Sequence, residues 1–312
     1  MTELGLKGEE SMQRENCKVQ NVGETEWIYL NDRFVSRDQA MISVFDHGFL
    51  YGDGVFETLR AYHGQIFQIE RHLERLTASC DLIGLSLPIP KSQWRELLSE
   101  SLRRNDLSDA SIRITISRGE GEIGLDPSLC SRPTVVIMPK LYKPYPVDFR
   151  QNGVHLALVN IRRNPIIAQP PEVKSLSFLN NILAKHEASR VGSFDALMLN
   201  MDGFLTECTT SNIFFVCQGQ LCTPSTECGI LRGVTRDVVI TLAKEEGLSV
   251  AESSFSVEQL LVSEECFLTN TGMEVMPVSQ VDGHRIGGSC PGVWTVKLHQ
   301  LFQANLNRFV DG

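Results

Sequence analysis

Strand patterns and helix patterns alternate irregularly along the chain, and this mixture limits its possible folds more than any other feature. Residues 110–117 are typical of a strand, whereas Ile69, Leu73 and Leu76 recur at helical spacing before Gly84, which is typical of a helix end. Neither half of the chain shows strict βαβ alternation or an internal repeat. The sequence therefore predicts two domains of the α+β class.

The predicted elements fall into two groups along the chain. In the first half we expect helices at 69–83 and 94–104 and strands at 27–30, 33–35, 54–62, 65–68, 110–117 and 133–138. In the second half we expect a turn at 205–211, helices that end near 190 and span 235–246 and 293–309, and strands at 154–159, 196–200, 212–216, 220–222 and 265–269.

The chain of 312 residues is long enough for two domains, each with its own core. Residues 1–24 are polar without periodicity, and we expect a disordered tail there. A small N-terminal domain is predicted at 25–142 and a larger cofactor-binding domain at 152–312. The intervening 143–151 segment, with two prolines among aromatic residues, is the predicted interdomain linker.

The composition argues against several classes of protein. A net charge of −9 without a cluster of basic and aromatic residues argues against a nucleic-acid partner. No apolar run approaches the roughly 18–20 residues that span a bilayer. The first ten residues do not resemble a signal peptide, so we expect a cytoplasmic protein without a membrane partner. The nine cysteines are scattered and form no C-x-x-C pair, which argues against a disulfide framework or a zinc site.

One lysine and one carboxylate are placed where they could support cofactor chemistry. Lys174 lies on a short irregular stretch just before a predicted helix, and Glu207 lies 33 residues later in the predicted turn. A lysine that forms a Schiff base and a carboxylate that pairs with a pyridine nitrogen are what pyridoxal phosphate (PLP) requires of a protein.

A phosphate site is the third requirement of that cofactor, and two segments could supply it. Residues 230–237 lead into a predicted helix, whose free N–H groups attract anions, and Gly233 permits close approach of the backbone. The same segment is equally typical of a helix that Thr235 caps. A second turn, with Thr271, follows the strand at 265–269 and could contact the same anion.

Six motifs that occur in this order resemble the class IV aminotransferases, which are the fold-type IV PLP enzymes. The resemblance covers residues 27–302 and implies the two-domain α+β fold of D-amino acid aminotransferase. It also implies an assembly that is at least a homodimer, in which the partner subunit completes the pocket. The motifs lie at 44–60, 71–76, 172–188, 205–215, 233–237 and 267–273.

The resemblance implies a role for each matching residue. Lys174 would be the catalytic lysine, which forms the Schiff base and transfers the proton, and Glu207 would pair with the ring nitrogen. Arg75 would bind the phosphate, together with Val234, Thr235 and Thr271. Ser211 and Asn212 would line the ring, although both also suit a turn before a strand. The implied substrate contacts are Tyr51, Phe56, Arg113, Gly272 and Met273, of which Phe56 also suits a buried strand and Arg113 a strand end.

The choice of reaction depends on features that point in different directions. Residues 116–130 are similar to the loop of branched-chain aminotransferases, but Ser111 replaces their usual tyrosine, and the spacing at 174–178 is shorter than theirs. We expect PLP-dependent amino transfer between a hydrophobic L-amino acid and 2-oxoglutarate. Aminodeoxychorismate lyase is the second hypothesis and D-amino acid aminotransferase the third. A non-enzymatic scaffold would be expected to lack Lys174 or Glu207, and both are present.

Overall fold

The computed structural model describes residues 26–310, so the predicted tail at 1–24 lies outside the described residues. The first part of the described chain forms one antiparallel sheet in the order β2-β1-β6-β5-β3-β4. Its elements are β1 Trp27–Leu30, β2 Arg33–Ser36, α1 His47–Tyr51, β3 Gly54–Tyr62, β4 Gln65–Ile66, α2 Ile69–Leu82, α3 Trp94–Arg104, β5 Ala110–Ser117 and β6 Thr134–Leu141.

The core of this sheet follows from the alternation of apolar residues along β5. Ile112, Ile114 and Ile116 share one face of the strand, and all three are fully buried. They join a cluster with Leu73 and Leu76, which lie four and seven residues after the start of α2 and so share one side of that helix. The packing of α2 on the sheet fixes the position of the helix that carries Arg75.

The second part of the described chain forms a larger mixed sheet. Its elements are α4 Val147–Asn152, β7 Val154–Leu158, α5 Leu179–Arg190, β8 Asp195–Leu199, β9 Leu205–Cys208, β10 Asn212–Cys217, β11 Gln220–Pro224, α6 Val234–Glu245, β12 Val250–Ser253, α7 Val257–Leu261, β13 Glu265–Asn270, β14 Glu274–Val281, β15 His284–Arg285, α8 Val293–Ala304 and α9 Leu306–Phe309. The strand order is β12-β11-β10-β13-β14-β7-β8-β9, with β15 beside β14.

Six strands of this sheet close into a ring. The strand β9 pairs with β8 on one side, and Glu207 on β9 pairs with Asn212 on β10 on the other. The ring therefore runs through β10, β13, β14, β7, β8 and β9. Because the closing pair consists of two polar residues that are both buried, they need hydrogen-bond partners inside the ring.

The two sheets share a layer of side chains. Tyr62 and Phe67 from the first sheet pack in one cluster with Phe214 from β10 and Phe302 from α8. The ring of Phe67 lies 5.2 Å from that of Phe302. This contact packs the two sheets against each other.

Most predicted elements are present, and the differences have physical causes. Residues 205–208 form a strand rather than a turn, because ring closure satisfies the backbone of a segment that contains polar residues. The helix predicted at 293–309 is interrupted at Asn305, and 147–152 within the predicted linker are helical. The domain boundaries remain a prediction. None of the helices within 26–310 is both long and apolar enough to cross a bilayer.

Candidate active site

A cavity of about 430 Å³ lies between the two sheets. Its wall combines side chains from β3, β5 and α2 of the first sheet with residues from β9, β10, the start of α6 and the turn after β13. Of the predicted site residues, it brings together Phe56, Arg75, Arg113, Lys174, Glu207, Ser211, Asn212, Val234, Thr235, Thr271 and Gly272. The motifs that lie far apart in the sequence therefore meet in one place.

Lys174 is held by its backbone rather than by a helix. Its carbonyl oxygen accepts a 2.9 Å hydrogen bond from the Phe56 amide, and its own amide donates to Ser79 Oγ at 3.2 Å. The next turn is fixed by the Leu176 amide, which donates to Gly54 O at 2.9 Å. These bonds attach the loop to β3 and α2. The amine Nζ then lies 4.5 Å from the centre of the Phe56 ring, inside the cavity.

The surroundings of Lys174 favour its neutral amine. Burial, assisted by the positive charge of Arg75, lowers the pKa of Lys174 to about 8 from an ordinary value of 10.5. Glu57 and Glu207 act in the opposite direction. An amine with this pKa is available as a nucleophile and as a base near neutral pH, which a solvated lysine is not.

Arg75 is fixed by a carboxylate that the sequence motifs did not identify. Glu57 on β3 accepts two hydrogen bonds from Arg75, at 2.6 Å from Nε and 2.9 Å from Nη2, and is fully buried. The third nitrogen of Arg75, Nη1, donates to Arg232 O at 2.8 Å. A bidentate pair of this kind fixes both the position and the plane of the guanidinium.

Glu57 also contacts His72, which lies 2.8 Å away through Nδ1. Burial lowers the pKa of His72, so we assign the neutral ring, with its proton on Nδ1 donated to Glu57. Although burial acts in the opposite direction, Arg75 and His72 hold the pKa of Glu57 well below its usual range. Glu57 is therefore a fixed negative charge beneath Arg75.

Glu207 lies at the closure of the strand ring. Its Oε2 accepts hydrogen bonds from Asn212 Nδ2 at 3.2 Å and from the Leu231 amide at 3.1 Å, and its Oε1 lies 2.9 Å from Arg163 Nη2. Burial raises the pKa of Glu207, and Arg163 opposes that rise. Asn212 also donates to Leu231 O at 2.9 Å, so it orients the carboxylate and the loop before α6 together.

Gly233 is required where this loop meets Asn212. A Cβ atom at position 233 would lie 2.1 Å from Asn212 Oδ1, so a larger residue would displace the amide that orients Glu207. Gly233 is also the first residue before α6, and no side chain caps that helix. The early N–H groups of α6 are thus free of side-chain acceptors within the described residues and lie at the positive end of the helix.

Buried hydroxyl groups provide a test of whether the cavity suits a phosphate ester. Ser211 Oγ, Thr235 Oγ1 and Thr269 Oγ1 are buried and have no hydrogen-bond partner among the described residues. All three residues line the cavity. Orphaned buried hydroxyls are costly unless a ligand pairs with them. Thr235, with Arg75 and the start of α6, offers donors that fit the phosphate of PLP.

The turn after β13 is held by its own side chain. Asn270 Oδ1 accepts hydrogen bonds from the amides of Gly272 at 2.9 Å and Met273 at 2.7 Å. Tyr142 donates to Gly272 O at 2.8 Å from the end of the first sheet. These hydrogen bonds fix the turn in which Thr271 and Gly272 line the cavity.

The part of the cavity nearest the first sheet is more apolar. Phe56 and Phe178 pack edge to face, with ring centres 5.5 Å apart. Arg113 lies over Phe56, with Cζ 4.0 Å from the ring centre, and donates from Nε to Thr115 Oγ1 at 3.2 Å. No ion pair to Arg113 is found within residues 26–310. Burial lowers its pKa, which is the expected sign for a cation without a carboxylate partner.

Two predicted substrate contacts lie outside this cavity. Tyr51 is 39% exposed at the end of α1, where its hydroxyl accepts from the Gly124 amide at 3.1 Å. Met273 is 1% exposed because its side chain points into the core of the second sheet. Its position follows from the turn, since Asn270 binds its amide and thereby directs the side chain inward.

The sequence did not identify Arg163 and Thr269, which line the cavity, or Glu57, which lies behind Arg75. Glu57 adjoins Phe56 inside a matched motif, so a buried acid on a strand was the available signal. Thr269 precedes Thr271 in another motif. Arg163 gave no signal, because only the closure of the strand ring brings it to Glu207.

Comparison with known proteins agrees with this geometry. The family model of the amino-transferase class IV matches residues 54–281. A provisionally named branched-chain-amino-acid aminotransferase of Methanocaldococcus jannaschii is 42% identical over 276 residues, covering 88% of this chain and 95% of the relative. An aminodeoxychorismate lyase of Bacillus subtilis is 33% identical over 289 residues, covering 91% of this chain and 96% of the relative.

A solved structure shows the same architecture. The branched-chain amino acid aminotransferase of Escherichia coli is 28% identical and superposes with a TM-score of 0.88, covering 92% of this chain and 97% of that one. The likeness confirms the predicted fold-type IV architecture. The chain belongs to the class IV aminotransferases, an enzyme family that uses pyridoxal phosphate.

Proposed function

We propose that the protein transfers the amino group between a hydrophobic, branched-chain L-amino acid and 2-oxoglutarate by a ping-pong mechanism. One observation carries the proposal: Lys174 Nζ and Arg113 Cζ both lie over the ring of Phe56, at 4.5 and 4.0 Å. An amine that can move a proton is thereby placed near a cation that can bind a carboxylate. Amino acids and 2-oxo acids share that carboxylate.

The residues of the cavity would have separate roles in this reaction. When bound, PLP supplies an aldehyde for the lysine and an electron-withdrawing ring. Lys174 would attach the cofactor through its amine and move the proton, as base in one half-reaction and as acid in the other. Glu207 would hold the ring nitrogen. Arg75, Thr235 and the start of α6 would bind the phosphate.

The apolar walls support a hydrophobic side chain in the substrate. Phe56, Phe178, Leu176, Val173 and Pro171 all line the cavity on the side of the first sheet. An isobutyl or sec-butyl group would be removed from water there, at roughly 0.8 kcal/mol for each buried CH2. The branched-chain name of the Methanocaldococcus jannaschii relative supports the same substrate class.

We propose further that the enzyme acts as a homodimer. The helix α1, the segment before it and the loop after β5 carry a continuous group of exposed apolar residues. The group is tied together by the Gly121 amide, which donates to Phe45 O, and by the bond from Gly124 to Tyr51. Such a patch is typical of a surface that another protein covers. The apolar patch consists of Met41, Ile42, Val44, Phe45, Phe49, Leu50, Tyr51, Ile123 and Leu125.

A second copy of the chain is the occupant that we propose for this patch. Tyr51 lies within the patch and outside its own cavity, so its predicted substrate contact would be made in the cavity of the partner. Sedimentation of the purified protein should give twice the chain mass. The variant Phe49→Asp should dissociate the dimer, whereas Val191→Asp, which changes an exposed apolar residue elsewhere, should not.

A spectral assay of one half-reaction tests the proposed activity. L-leucine should convert the lysine-bound cofactor to the pyridoxamine form, and 2-oxoglutarate should reverse the change. D-alanine should not do so. The lyase hypothesis is retained because the Bacillus subtilis relative has that name. Release of 4-aminobenzoate and pyruvate from aminodeoxychorismate, without conversion by L-leucine, would replace our proposal by that one.

A further inference from the structure

Arg163 is a cavity residue to which neither the motifs nor the proposed mechanism assigns a role. It lies on the loop between β7 and α5, and its side chain is mostly buried. Its guanidinium contacts the carboxylate of Glu207, with Nη2 2.9 Å from Oε1. A buried ion pair is not favourable merely because it exists, since both ions lose their water. A cation at this position therefore calls for a specific explanation.

Each of the three nitrogen atoms of the Arg163 guanidinium has a partner. Nη1 donates to Asn181 Oδ1 at 3.2 Å, and Nε donates to Gly229 O at 3.3 Å. Asn181 is itself fixed, because its Nδ2 donates to Thr209 O at 2.8 Å. The Arg163 amide donates to Leu199 O at 2.9 Å. These bonds fix the guanidinium relative to β8 and α5, so we expect it to keep its position when a ligand binds.

Glu207 retains capacity for one more donor. A carboxylate has about four acceptor positions on its two oxygens. Within the described residues three donors are recorded: Arg163 on Oε1, and Asn212 and the Leu231 amide on Oε2. The remaining position suits a protonated ring nitrogen. Such a ligand would be a second cation on a carboxylate that Arg163 already contacts.

A proton between a buried carboxyl group and a pyridine nitrogen has two possible locations. On the nitrogen it leaves an anion and a cation, and on the oxygen it leaves two neutral groups. Burial alone favours the neutral arrangement, because separated charges lose solvation. A fixed cation in direct contact with the carboxylate favours the ionised arrangement. The ring nitrogen would approach an acceptor position of the carboxylate that Arg163 does not occupy. It would therefore lie farther from the guanidinium than the carboxylate oxygen does, so the guanidinium would act more strongly on the carboxylate.

The other charges around Glu207 have the same sign as Arg163 but act less directly. Lys174 and Arg75 lower its pKa, yet no ion pair between either of them and Glu207 is found within residues 26–310, and Arg75 is paired with Glu57. Burial is the opposing influence. Arg163 is the cation that contacts Glu207 directly and stays charged throughout.

We propose that Arg163 is a positioning residue that keeps Glu207 ionised and thereby places the shared proton on the ring nitrogen of the cofactor. In this step the proton leaves the carboxyl oxygen and bonds to nitrogen, and the total charge is unchanged. The protonated ring withdraws electrons more strongly, so Arg163 acts on the rate through Glu207 without touching the substrate. The inference rests on the proposed PLP chemistry of this cavity.

The test is the ¹⁵N chemical shift of the ring nitrogen in holoenzyme loaded with ¹⁵N-labelled PLP. The wild-type holoenzyme at pH 7 should show the shift of a protonated pyridine. Arg163→Gln keeps an amide donor but removes the charge, and it should move the resonance to the unprotonated position while the cofactor stays bound. Arg163→Lys keeps a charge and should retain the protonated signal. Arg162→Gln is the matched control, since Arg162 is the exposed neighbour.

The outcomes separate this inference from the proposed function. A wild-type protein that binds no PLP refutes both. An active wild-type enzyme whose Arg163→Gln variant keeps the protonated resonance refutes the role of Arg163 alone. Should Arg163→Gln not fold, the wild-type spectrum still decides, because an unprotonated ring nitrogen at pH 7 would overturn the inference.

Discussion

The two ends of the cavity differ in how firmly their side chains are held. At the cofactor end, Arg75 makes three hydrogen bonds and Glu207 accepts three contacts, so both are oriented before any ligand binds. At the substrate end, Arg113 has one recorded side-chain hydrogen bond, and the neighbouring wall is made of Phe56 and Phe178. The end that we propose for the cofactor is therefore preorganised, and the end that we propose for the substrate would be free to pair with different carboxylates.

Removal of Lys174 should have the largest effect of any change at the cofactor end. Lys174→Ala should lower turnover by a factor on the order of 10⁴ or more, since it removes both the covalent attachment and proton transfer, and proton transfer alone supplies roughly 10²–10⁴. Borohydride should no longer attach PLP to the chain. The control is Lys185→Ala on the exposed part of α5. Attachment of PLP to another lysine in Lys174→Ala would show that the assignment is wrong.

Glu207→Gln should separate cofactor binding from turnover. The neutral amide lacks the negative charge that stabilises a protonated nitrogen, so turnover should fall roughly 10- to 100-fold, as expected for the loss of a charge-assisted hydrogen bond. PLP should still bind, because the phosphate contacts remain. Steady-state kinetics and absorbance titration measure the two effects. A variant with the wild-type rate would remove Glu207 from the mechanism, and Glu245→Gln on the surface is the control.

Arg113→Met tests the substrate end. It removes the cation and keeps an apolar side chain over Phe56, so the KM for 2-oxoglutarate should rise about tenfold or more while PLP affinity is unchanged. Initial rates over a range of 2-oxoglutarate concentrations provide the measurement. Arg132→Met, at an exposed position, is the matched control. Weakened PLP binding in Arg113→Met would mean that the two ends of the cavity are not independent.

Glu57→Gln tests whether the hold on Arg75 matters for the phosphate. The variant keeps an oxygen beneath Arg75 but removes its charge, so PLP should bind about five- to tenfold more weakly. Pyridoxal, which lacks the phosphate, should bind as it does to the wild type. Equilibrium titration with both compounds distinguishes this effect from general damage to the fold. Glu74→Gln, which changes the exposed acid next to Arg75, should bind both compounds normally.

The pH dependence of Lys174 tests the same end of the cavity in the absence of any ligand. Its pKa of about 8 means that the folded apoprotein binds fewer protons than the unfolded chain between pH 8 and 10.5. This group therefore raises the free energy of unfolding as the pH rises through that window. Amine labelling of Lys174, followed by mass spectrometry, should increase around pH 8 in the native protein and at higher pH in the denatured chain. Equal midpoints in the two states would contradict the lowered pKa.

The residues predicted to bind the cofactor all line one cavity, whereas two of those predicted to bind the substrate do not, and the difference has a physical reason. Lys174, Glu207, Arg75 and Thr235 occur in short motifs, because a helix start and a tight loop require particular residues at fixed spacing. The helix α2 and the strand β5 were predicted from their apolar spacing, since their cores are local patterns. Strand β9 was interpreted as a turn, because its four residues include the polar Thr206 and Glu207 and are too few to show the alternation of a strand.

Residues whose role depends on contacts between distant parts of the chain could not be predicted from the sequence. Arg163 acquires its role only when β9 closes onto β10 and presents Glu207 to the loop after β7. Met273 was predicted as a substrate contact, and this stays a prediction; its side chain lies in the core of the second sheet, and its amide donates to Asn270. Tyr51 does not line its own cavity, and one chain alone contains no information on what covers it.

The strand ring closes at the pair of Glu207 and Asn212. A cofactor bound to Glu207 should therefore also stabilise the large sheet. The seam between β9 and β10 depends on a buried acid, which is the same group that we propose for the ring nitrogen. A ligand that binds the folded state alone adds RT ln(1 + [L]/Kd) to stability. The backbone amides of β9 and β10 should therefore exchange hydrogen faster in the apoprotein than in the holoenzyme. In a cell that is depleted of cofactor, we expect proteases to cleave the enzyme preferentially at these strands.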